Sequence, residues 1–225
     1  MKIGVIIAMD IEYRKMLEVL GGEPEGHVGV NEVVLWKCGI GKVNAAVGTM
    51  RLLQEHKPDC VISTGLAGGI DAGLEVMDVV VGRETVYHDV WCGMGNAYGQ
   101  VQGLPARFDA DPVLLKCAEN IGRDENIRVK EGLICTGDQF ITDKEALGKI
   151  KARFPEGLAC EMESAAIAHT CYLQGVPFLS VRVVSDTPGN TGDHQQQWDS
   201  FLASMGERSF QFMQKFLLQL PNSIK

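Results

Sequence analysis

The sequence predicts an α/β fold in a single domain that covers residues 1–225. Short apolar runs rich in β-branched residues, typical of buried strands, alternate with segments in which apolar residues recur at helical spacing. The chain has 225 residues, of which 45% are hydrophobic, so it can bury one large core. No internal repeat, linker or low-complexity tract interrupts this alternation.

Charge and cysteine content argue against several functions. The formal net charge is -8, from 29 acidic and 21 basic residues, which disfavours nucleic acid as a partner because phosphate binding needs a basic face. The 7 cysteines form no CxxC pair, which is typical of free thiols in a reducing cytoplasm. The 5 histidines form no metal-binding motif, and we expect neither a metal nor a cofactor.

The N-terminal apolar run, residues 3–9, is too short to span a membrane and has no cleavage site after it. It predicts the first strand, at residues 3–8, of a cytoplasmic protein that does not bind membranes. A helix with apolar positions between residues 11 and 20 follows. Taken alone, Glu12 fits the preference of the first helical turn for acidic side chains.

Two further strands, at residues 32–38 and 58–64, run into glycine-rich segments. GIG at residues 39–41 resembles the start of a dinucleotide fingerprint, but Asn44 replaces the third glycine, and we favour close helix–strand packing. The glycines of residues 65–69 allow backbone N–H groups to approach a ligand. No Gly-Lys-Ser/Thr follows them, so they do not form a Walker loop.

A fourth strand is predicted at residues 76–81, before an irregular segment at residues 85–108. That segment is rich in glycine, aromatic and amide side chains. A long irregular segment inside a compact domain is usually functional or part of an interface. Its aromatic residues, among them Trp91 and Tyr98, suit a contact between subunits, and we expect a homodimer in which the segment is buried.

The second half of the chain predicts a helix at residues 112–121, a strand at residues 129–135 and another helix opened by a capping box at residues 142–145. A long terminal helix follows at residues 198–220. Its apolar stripe includes Met205.

The stretch from residue 158 to residue 186 predicts a functional site. Glu161 and Glu163 precede a helix of small residues. The apolar strand after it contains Arg182 and stops at Asp186, at the end of the strand where open α/β sheets bind ligands. Burying unpaired charge is costly, so these groups suggest a site. The alternative is that Asp186 caps a turn and the glutamates are solvated.

Five motifs resemble one known family. They are IGVIIAMDIE at residues 3–12, GIGKVNAA at 39–46, TGLAGG at 64–69, EMESAA at 161–166 and VSD at 184–186. Together they resemble the 5'-methylthioadenosine/S-adenosylhomocysteine nucleosidases of the nucleoside phosphorylase superfamily, over nearly the whole chain. The resemblance implies a mixed central β-sheet flanked by helices, usually in a homodimer. It also implies hydrolysis of the N9–C1' bond, which releases adenine and a 5'-thio-ribose.

The resemblance implies the catalytic residues. Asp186 would protonate adenine N7, with Ser185 holding that loop, and Glu12 would activate water with Arg182 nearby. Glu163 would contact the ribose hydroxyls. In a glycosidic cleavage, a general acid protonates the leaving nucleobase and a general base takes a proton from the attacking water. Each contributes roughly 10²–10⁴-fold to the rate. Asp186 must then be protonated and Glu12 ionised, and Arg182 would favour the ionised form.

The resemblance also implies the substrate contacts. Phe140 would pack on the purine, the backbone of Ile141 would read its edge, and Met162 would contact the ribose. Met9 and Trp198 would line the pocket for the 5'-alkylthio group. The other implied substrate-binding residues are Ala67 and Gly68. Residues 91–98 would reach into the site of the partner subunit.

Two features depart from the family pattern. Leu66 stands where the family usually has the serine of TGSAGG, which affects a side-chain contact near the water. The loop at residues 187–197 is longer than usual, which affects the specificity for the 5' group.

Three other functions stay open. A purine nucleoside phosphorylase would need several arginines around the glycine segments to bind phosphate, and Glu12 would repel that anion. A nucleosidase for futalosine-type substrates is the second. A non-catalytic nucleotide-binding module is the third, and it leaves Glu12, Glu163 and Asp186 without a joint purpose. Product analysis with and without phosphate distinguishes these functions.

Overall fold

The computed structural model describes residues 1–124, 127–187, 194–204 and 208–224, and within them it contains nine strands and seven helices. The strands are β1 (Lys2–Ile7), β2 (Glu25–Val28), β3 (Asn31–Lys37), β4 (Cys60–Gly69), β5 (Val79–Tyr87), β6 (Phe108–Asp109), β7 (Val129–Thr136), β8 (Gly157–Glu161) and β9 (Phe178–Asp186). The helices are α1 (Asp10–Val19), α2 (Lys42–His56), α3 (Pro112–Asp124), α4 (Lys144–Arg153), α5 (Ser164–Gln174), α6 (His194–Ser204) and α7 (Arg208–Gln219). The predicted α/β class is confirmed.

The strands form one mixed sheet, as the resemblance implies. β1 lies between β3 and β4 and is parallel to both, while β2 pairs antiparallel with β3. β9 lies between β4, which is parallel to it, and β5, which is antiparallel. β4 also pairs with β8, β8 with β7 and β7 with β5. The strands β4, β8, β7, β5 and β9 therefore form a closed ring, so this half of the sheet is a small barrel.

Helices cover both faces of the sheet. Val5 and Ile7 of β1 belong to a core that includes residues of α1, α3 and α7, whereas Ile6 belongs to a second core with α2 and α5. Alternate residues of a strand point to opposite faces, so β1 is buried on both sides. This double burial explains why the strands are continuous apolar runs in the sequence.

Two strands differ in extent from the prediction. β4 continues through residues 65–69, which the sequence predicts to be a glycine-rich segment after the strand. Close packing explains glycine there, because a Cβ at Gly69 would lie 3.1 Å from Val184 Cγ1. β5 begins at Val79 and extends to Tyr87, so it includes the first residues of the segment predicted to be irregular.

One strand was missed. β2 has the sequence EGHV, its first three residues are exposed, and it forms a hairpin with β3. A polar four-residue edge strand has neither an apolar run nor alternation, so no periodic signal marks it.

The glycines at positions 39 and 41 have a different role from the predicted one. Their φ angles are 92° and 91°, in the left-handed region, so they shape the turn before α2. Close helix–strand packing occurs instead at Gly48, where an added Cβ would lie 2.4 Å from the Cβ of Cys38.

The N-cap of α4 is Asp143, within the capping box predicted at residues 142–145. Its Oδ1 accepts from the backbone N–H of Ala146 at 2.8 Å.

Part of the predicted C-terminal region lies outside the described residues. The predicted terminal helix corresponds to α6 and α7, and Met205 falls between them, outside the described part. Residues 188–193 of the predicted loop are also outside it. The seven cysteines, all described, are unpaired. No helix in the described ranges is long and apolar enough to cross a membrane.

Candidate active site

A cavity of about 310 Å³ lies at the carboxyl ends of β1, β4, β7, β8 and β9. Ten residues predicted to form the site line it: Met9, Glu12, Ala67, Gly68, Phe140, Ile141, Met162, Glu163, Asp186 and Trp198. Two other predicted residues, Arg182 and Ser185, are buried nearby and do not line it. The topology thus brings together residues from the whole length of the chain.

Glu12 enters the cavity from the first turn of α1. Its side chain is 3% exposed and accepts backbone hydrogen bonds from Met9 at 3.0 Å and from Leu66 at 2.8 Å. These bonds link the start of α1 to the middle of β4. Burial raises the pKa of Glu12 above its ordinary value, although the two N–H groups oppose that shift.

Glu163 connects the start of α5 to the turn before α2. Its Oε1 accepts a hydrogen bond from the backbone N–H of Gly41 at 2.9 Å. Burial raises the pKa of Glu163 to about 8, and the negative charge of Glu161 adds to the shift. Glu163 is therefore a proton-holding carboxyl group near neutral pH.

Asp186 is placed by an irregularity at the end of β9. Ala67 pairs with Val184 and Gly68 with Asp186, so Ser185 is an extra residue on β9. Such a bulge redirects the side chains at the end of a strand. Asp186 is 2% exposed, and its Oδ1 accepts a hydrogen bond from the hydroxyl of Ser185 at 2.7 Å. Ser185 therefore contacts Asp186 rather than the cavity.

Arg182 is buried beneath the cavity and is paired with Glu161. Its Nη2 donates to Glu161 Oε2 at 2.7 Å, to Ser63 Oγ at 2.8 Å and to Ser164 Oγ at 2.9 Å. The expectation was that Arg182 would favour the ionised form of Glu12. Its charge does lower the pKa of Glu12, but Arg182 is paired with Glu161, and burial raises that pKa by more.

An aromatic pair forms the outer wall of the cavity. The rings of Phe140 and Trp198 are 5.4 Å apart between centroids, in an edge-to-face arrangement. The residue before Trp198 fixes this part of α6, because Gln197 Oε1 accepts from the backbone N–H of Thr187 at 3.0 Å and from its hydroxyl at 3.3 Å. Thr187 directly follows Asp186, so the wall is tied to the end of β9.

Several lining residues were not among the predicted site residues. They are Ala8, Ile40, Leu66, Gln139, Cys160 and Glu161. Glu161 is singled out by the sequence as a costly charge, but no role is assigned to it there. Leu66 contributes an apolar side chain to the wall, while its backbone N–H still binds Glu12. The others carry no chemical signal, because they are small, apolar or adjacent to a motif.

The segment at residues 85–108 is apolar at two places. Tyr87 and Phe108 are buried and form edge-to-face rings 6.3 Å apart. Trp91 and Met94 are 56% and 96% exposed, and Trp91 stacks on Tyr98 at 5.9 Å. Large apolar groups exposed close together mark interaction surfaces.

No group of three or more potential ligands in the described ranges could hold a metal ion.

Comparison with known proteins agrees with this architecture. A sequence model of the phosphorylase superfamily matches residues 2–218. A 5'-methylthioadenosine/S-adenosylhomocysteine nucleosidase of Actinobacillus succinogenes is 43% identical over 98% of this chain and 100% of its own.

Two crystal structures are also close. The corresponding nucleosidase of Neisseria meningitidis, in complex with methylthio-immucillin-A, has a TM-score of 0.90 and 38% identity over 97% of this chain and 99% of its own. An S-adenosylhomocysteine nucleosidase of Streptococcus pyogenes, in complex with 5-methylthiotubericidin, has a TM-score of 0.91 and 37% identity over 98% of each chain.

Fold and sequence together define a member of the phosphorylase superfamily. Within that superfamily, the chain belongs to the 5'-methylthioadenosine/S-adenosylhomocysteine nucleosidases, a family of N-glycosyl hydrolases. The resemblance predicted from the five motifs and the expected class of enzyme are confirmed.

Proposed function

We propose that this protein hydrolyses 5'-methylthioadenosine and S-adenosylhomocysteine to adenine and the 5'-thio-ribose. The observation that carries the proposal is the meeting of Glu12, Glu163 and Asp186 around one cavity. These three carboxyl groups come from α1, the start of α5 and the end of β9. Related enzymes that were crystallised with methylthio-immucillin-A and 5-methylthiotubericidin support this class of substrate.

The proposed reaction uses an acid at the base and a base at the water. Asp186 donates its proton to N7 of adenine as the N9–C1' bond breaks, and the bonding electrons leave with the base. The water oxygen attacks C1', and Glu12 accepts the water proton. Such groups act at the two ends of a glycosidic cleavage. Ser185 holds Asp186 through the hydroxyl bond.

The remaining cavity residues bind the substrate in this proposal. Glu163 and Met162 contact the ribose, and Phe140 packs on the purine while the backbone of Ile141 reads its edge. The 5'-alkylthio group lies against Met9 and Trp198. The other contacts come from Ala67 and Gly68. In its ionised form, the Glu163 carboxylate also stabilises the positive charge that develops on the sugar.

Water suits this cavity better than phosphate as the nucleophile. The described residues that line the cavity include no arginine or lysine. Arg182, which lies beneath it, is bound to Glu161. Phosphate recognition relies on charge-assisted donors such as arginine, and here carboxyl groups occupy the wall instead.

Product analysis tests the proposal. The purified protein is incubated with 5'-methylthioadenosine, with S-adenosylhomocysteine and with a futalosine-type nucleoside, each with and without phosphate. We expect adenine and a free thio-ribose at rates independent of phosphate. A sugar phosphate would show a phosphorylase, and release from the futalosine-type nucleoside alone would show the other nucleosidase. Absence of turnover of any nucleoside, with binding retained, would show a binding module.

The protein is further proposed to act as a homodimer of one domain, residues 1–225, in the cytoplasm. Trp91 and Met94 supply exposed apolar surface, and Val43 and Val47 of α2 are 74% and 55% exposed. Burial of these groups between subunits accounts for their exposure in the single chain. Light scattering at micromolar concentration is expected to give twice the chain mass of 24.5 kDa, and a clean monomer would refute the assembly.

A further inference from the structure

Glu161 accepts hydrogen bonds on both of its carboxylate oxygens. It accepts backbone N–H bonds from Glu163 at 3.0 Å and from Ser164 at 2.8 Å, and its Oε1 accepts from the hydroxyl of Thr136. Arg182 donates to its Oε2 from Nη2 at 2.7 Å and from Nε at 3.3 Å. These donors lower the pKa of Glu161 despite its burial, so this residue is ionised.

Arg182 is correspondingly committed to Glu161. Both side chains are 3% exposed, so their mutual attraction is poorly screened by solvent. Ser63 and Ser164 take the other bonds of Nη2. Nη1 is buried and has no hydrogen-bond partner within the described residues. The cation is thereby fixed beneath the cavity, with its charge largely balanced by Glu161.

Glu12 and Glu163 are the carboxyl groups whose pKa values depend on the charges of Arg182 and Glu161. The charge of Arg182 acts on both of them and favours their ionised forms, while the charge of Glu161 opposes it. Burial is the largest effect on both groups, and the pKa values of Glu12 and Glu163 are raised. The charge of Glu161 thus offsets part of the effect of the Arg182 charge on these two buried acids.

The thiols and the imidazole near this pair carry no charge. Burial raises the pKa of Cys38 and Cys135 to about 12 and that of Cys160 well above its ordinary value, so these thiols stay protonated. Burial lowers the pKa of His88, which keeps this ring neutral. Asp186 is the remaining cavity carboxyl group, and it faces Ser185.

We propose that Glu161 is a positioning residue that sets the protonation state of Glu12 and Glu163 by binding Arg182 and balancing its charge. This role rests on the proposed function for its effect on turnover, but not for its effect on proton binding. Glu161 touches neither reacting bond in this scheme. It acts through Arg182 and through the backbone at the start of α5.

The substitution Glu161→Gln tests the role, since it keeps the size of the side chain and removes the charge. The charge of Arg182 is then unbalanced, and the titrations of Glu12 and Glu163 move to lower pH by roughly 1 unit or more, as expected for an uncompensated opposite charge. The titrations are followed by carbon NMR of labelled glutamate carboxyl groups. In nucleoside hydrolysis, the acidic limb of kcat moves in the same direction because Glu12 loses its proton more easily.

Thr136→Val is the matched control. It removes the hydrogen bond to Glu161 and the one that the Thr136 hydroxyl accepts from the Ala165 N–H in α5, and it leaves every charge in place. A residue that only shaped the start of α5 would give the same result in both variants. We expect a shift of the titrations in Glu161→Gln and none in Thr136→Val.

A second variant covers the case in which Glu161→Gln fails to fold, since an unpaired buried charge is strongly destabilising. The double variant E161Q/R182M removes both charges, and we expect it to fold and to show titrations of Glu12 and Glu163 close to those of the wild type.

Three results would each overturn the role of Glu161. The first is unshifted titrations in folded Glu161→Gln, and the second is an equal shift in Thr136→Val. The third is an E161Q/R182M variant in which the titrations of Glu12 and Glu163 move to lower pH. The titrations need no substrate. An absence of nucleoside turnover in the wild type would therefore refute the proposed function and leave the role of Glu161 decided separately.

Discussion

Gly65 leaves the space that the Glu12 carboxylate occupies. A Cβ added to Gly65 would lie 2.7 Å from Glu12 Oε1, and the φ angle of this glycine is +151°. The backbone of β4 at Gly65 therefore lies directly against the Glu12 carboxylate. The next residue, Leu66, donates its N–H to the same carboxylate. Any side chain at position 65 must displace the group that we propose as the general base.

Gly65→Ala is expected to lower kcat by roughly 10²-fold or more, the range of general-base catalysis, because Glu12 moves away from the water. Gly148→Ala is the control, since Gly148 lies in α4 with nothing within 4 Å of an added Cβ. The control is expected to keep full activity. Steady-state kinetics and circular dichroism of both variants check this, and a fully active Gly65→Ala would contradict the placement of Glu12.

Asp186→Asn and Glu12→Gln are each expected to lose most of kcat with the fold retained. Asparagine cannot protonate adenine, and glutamine cannot take a proton from water, while both keep the shape of the side chain. The loss falls on kcat if these groups act mainly in the transition state. Adenine release by the single and double variants is the measurement.

The two losses in kcat are expected to be non-additive. Once Asp186 or Glu12 is missing, removing the other group should cost less than it does in the wild type. A folded Asp186→Asn protein with near-wild-type turnover would remove the role assigned to this residue.

Glu163 is expected to make the protein less stable as the pH rises. Its pKa is about 8 in the folded chain against 4.5 for the ordinary group, so the folded state binds the extra proton between these values. The stabilisation is fully present below the ordinary pKa and is lost as the pH passes the folded one.

Urea unfolding at several pH values between about 5 and 9 measures this dependence. The decline in unfolding free energy should be smaller in Glu163→Gln than in the wild type. Equal slopes in the two proteins would show that Glu163 titrates normally.

Gln197 is expected to control the pocket for the 5' group. Gln197→Ala removes the two bonds to Thr187, so α6 and Trp198 are held less firmly against Phe140. We expect KM to rise several-fold, more for S-adenosylhomocysteine than for 5'-methylthioadenosine, with kcat changed little. Gln197→Glu keeps a side-chain oxygen that can accept both bonds and is expected to restore KM. A fall confined to kcat would contradict this reason.

The sequence predicted which side chains meet at the cavity more accurately than it predicted the strand ends. Glu12, Glu163 and Asp186 lie in motifs at the ends of strong apolar runs, so both their type and their place are visible along the chain. The partner of Arg182 is not visible, because Glu12, Glu161 and Glu163 are all acidic. Glu161 in β8 meets Arg182 in β9 only because both strands pair with β4. The end of β4 was likewise missed, because its glycines are typical of a loop in the sequence. Glycine is required there by contacts with residues far along the chain.

The central position of β9 has a consequence for the order in which the molecule can form. β9 lies between β4 and β5, yet it is synthesised after both. Until it arrives, those two strands keep open edges that can pair with other chains. Such pairings across long sequence separations slow folding. A chain interrupted before residue 178 therefore lacks Asp186 and a closed barrel together, and premature termination yields an aggregation-prone fragment rather than a weak enzyme.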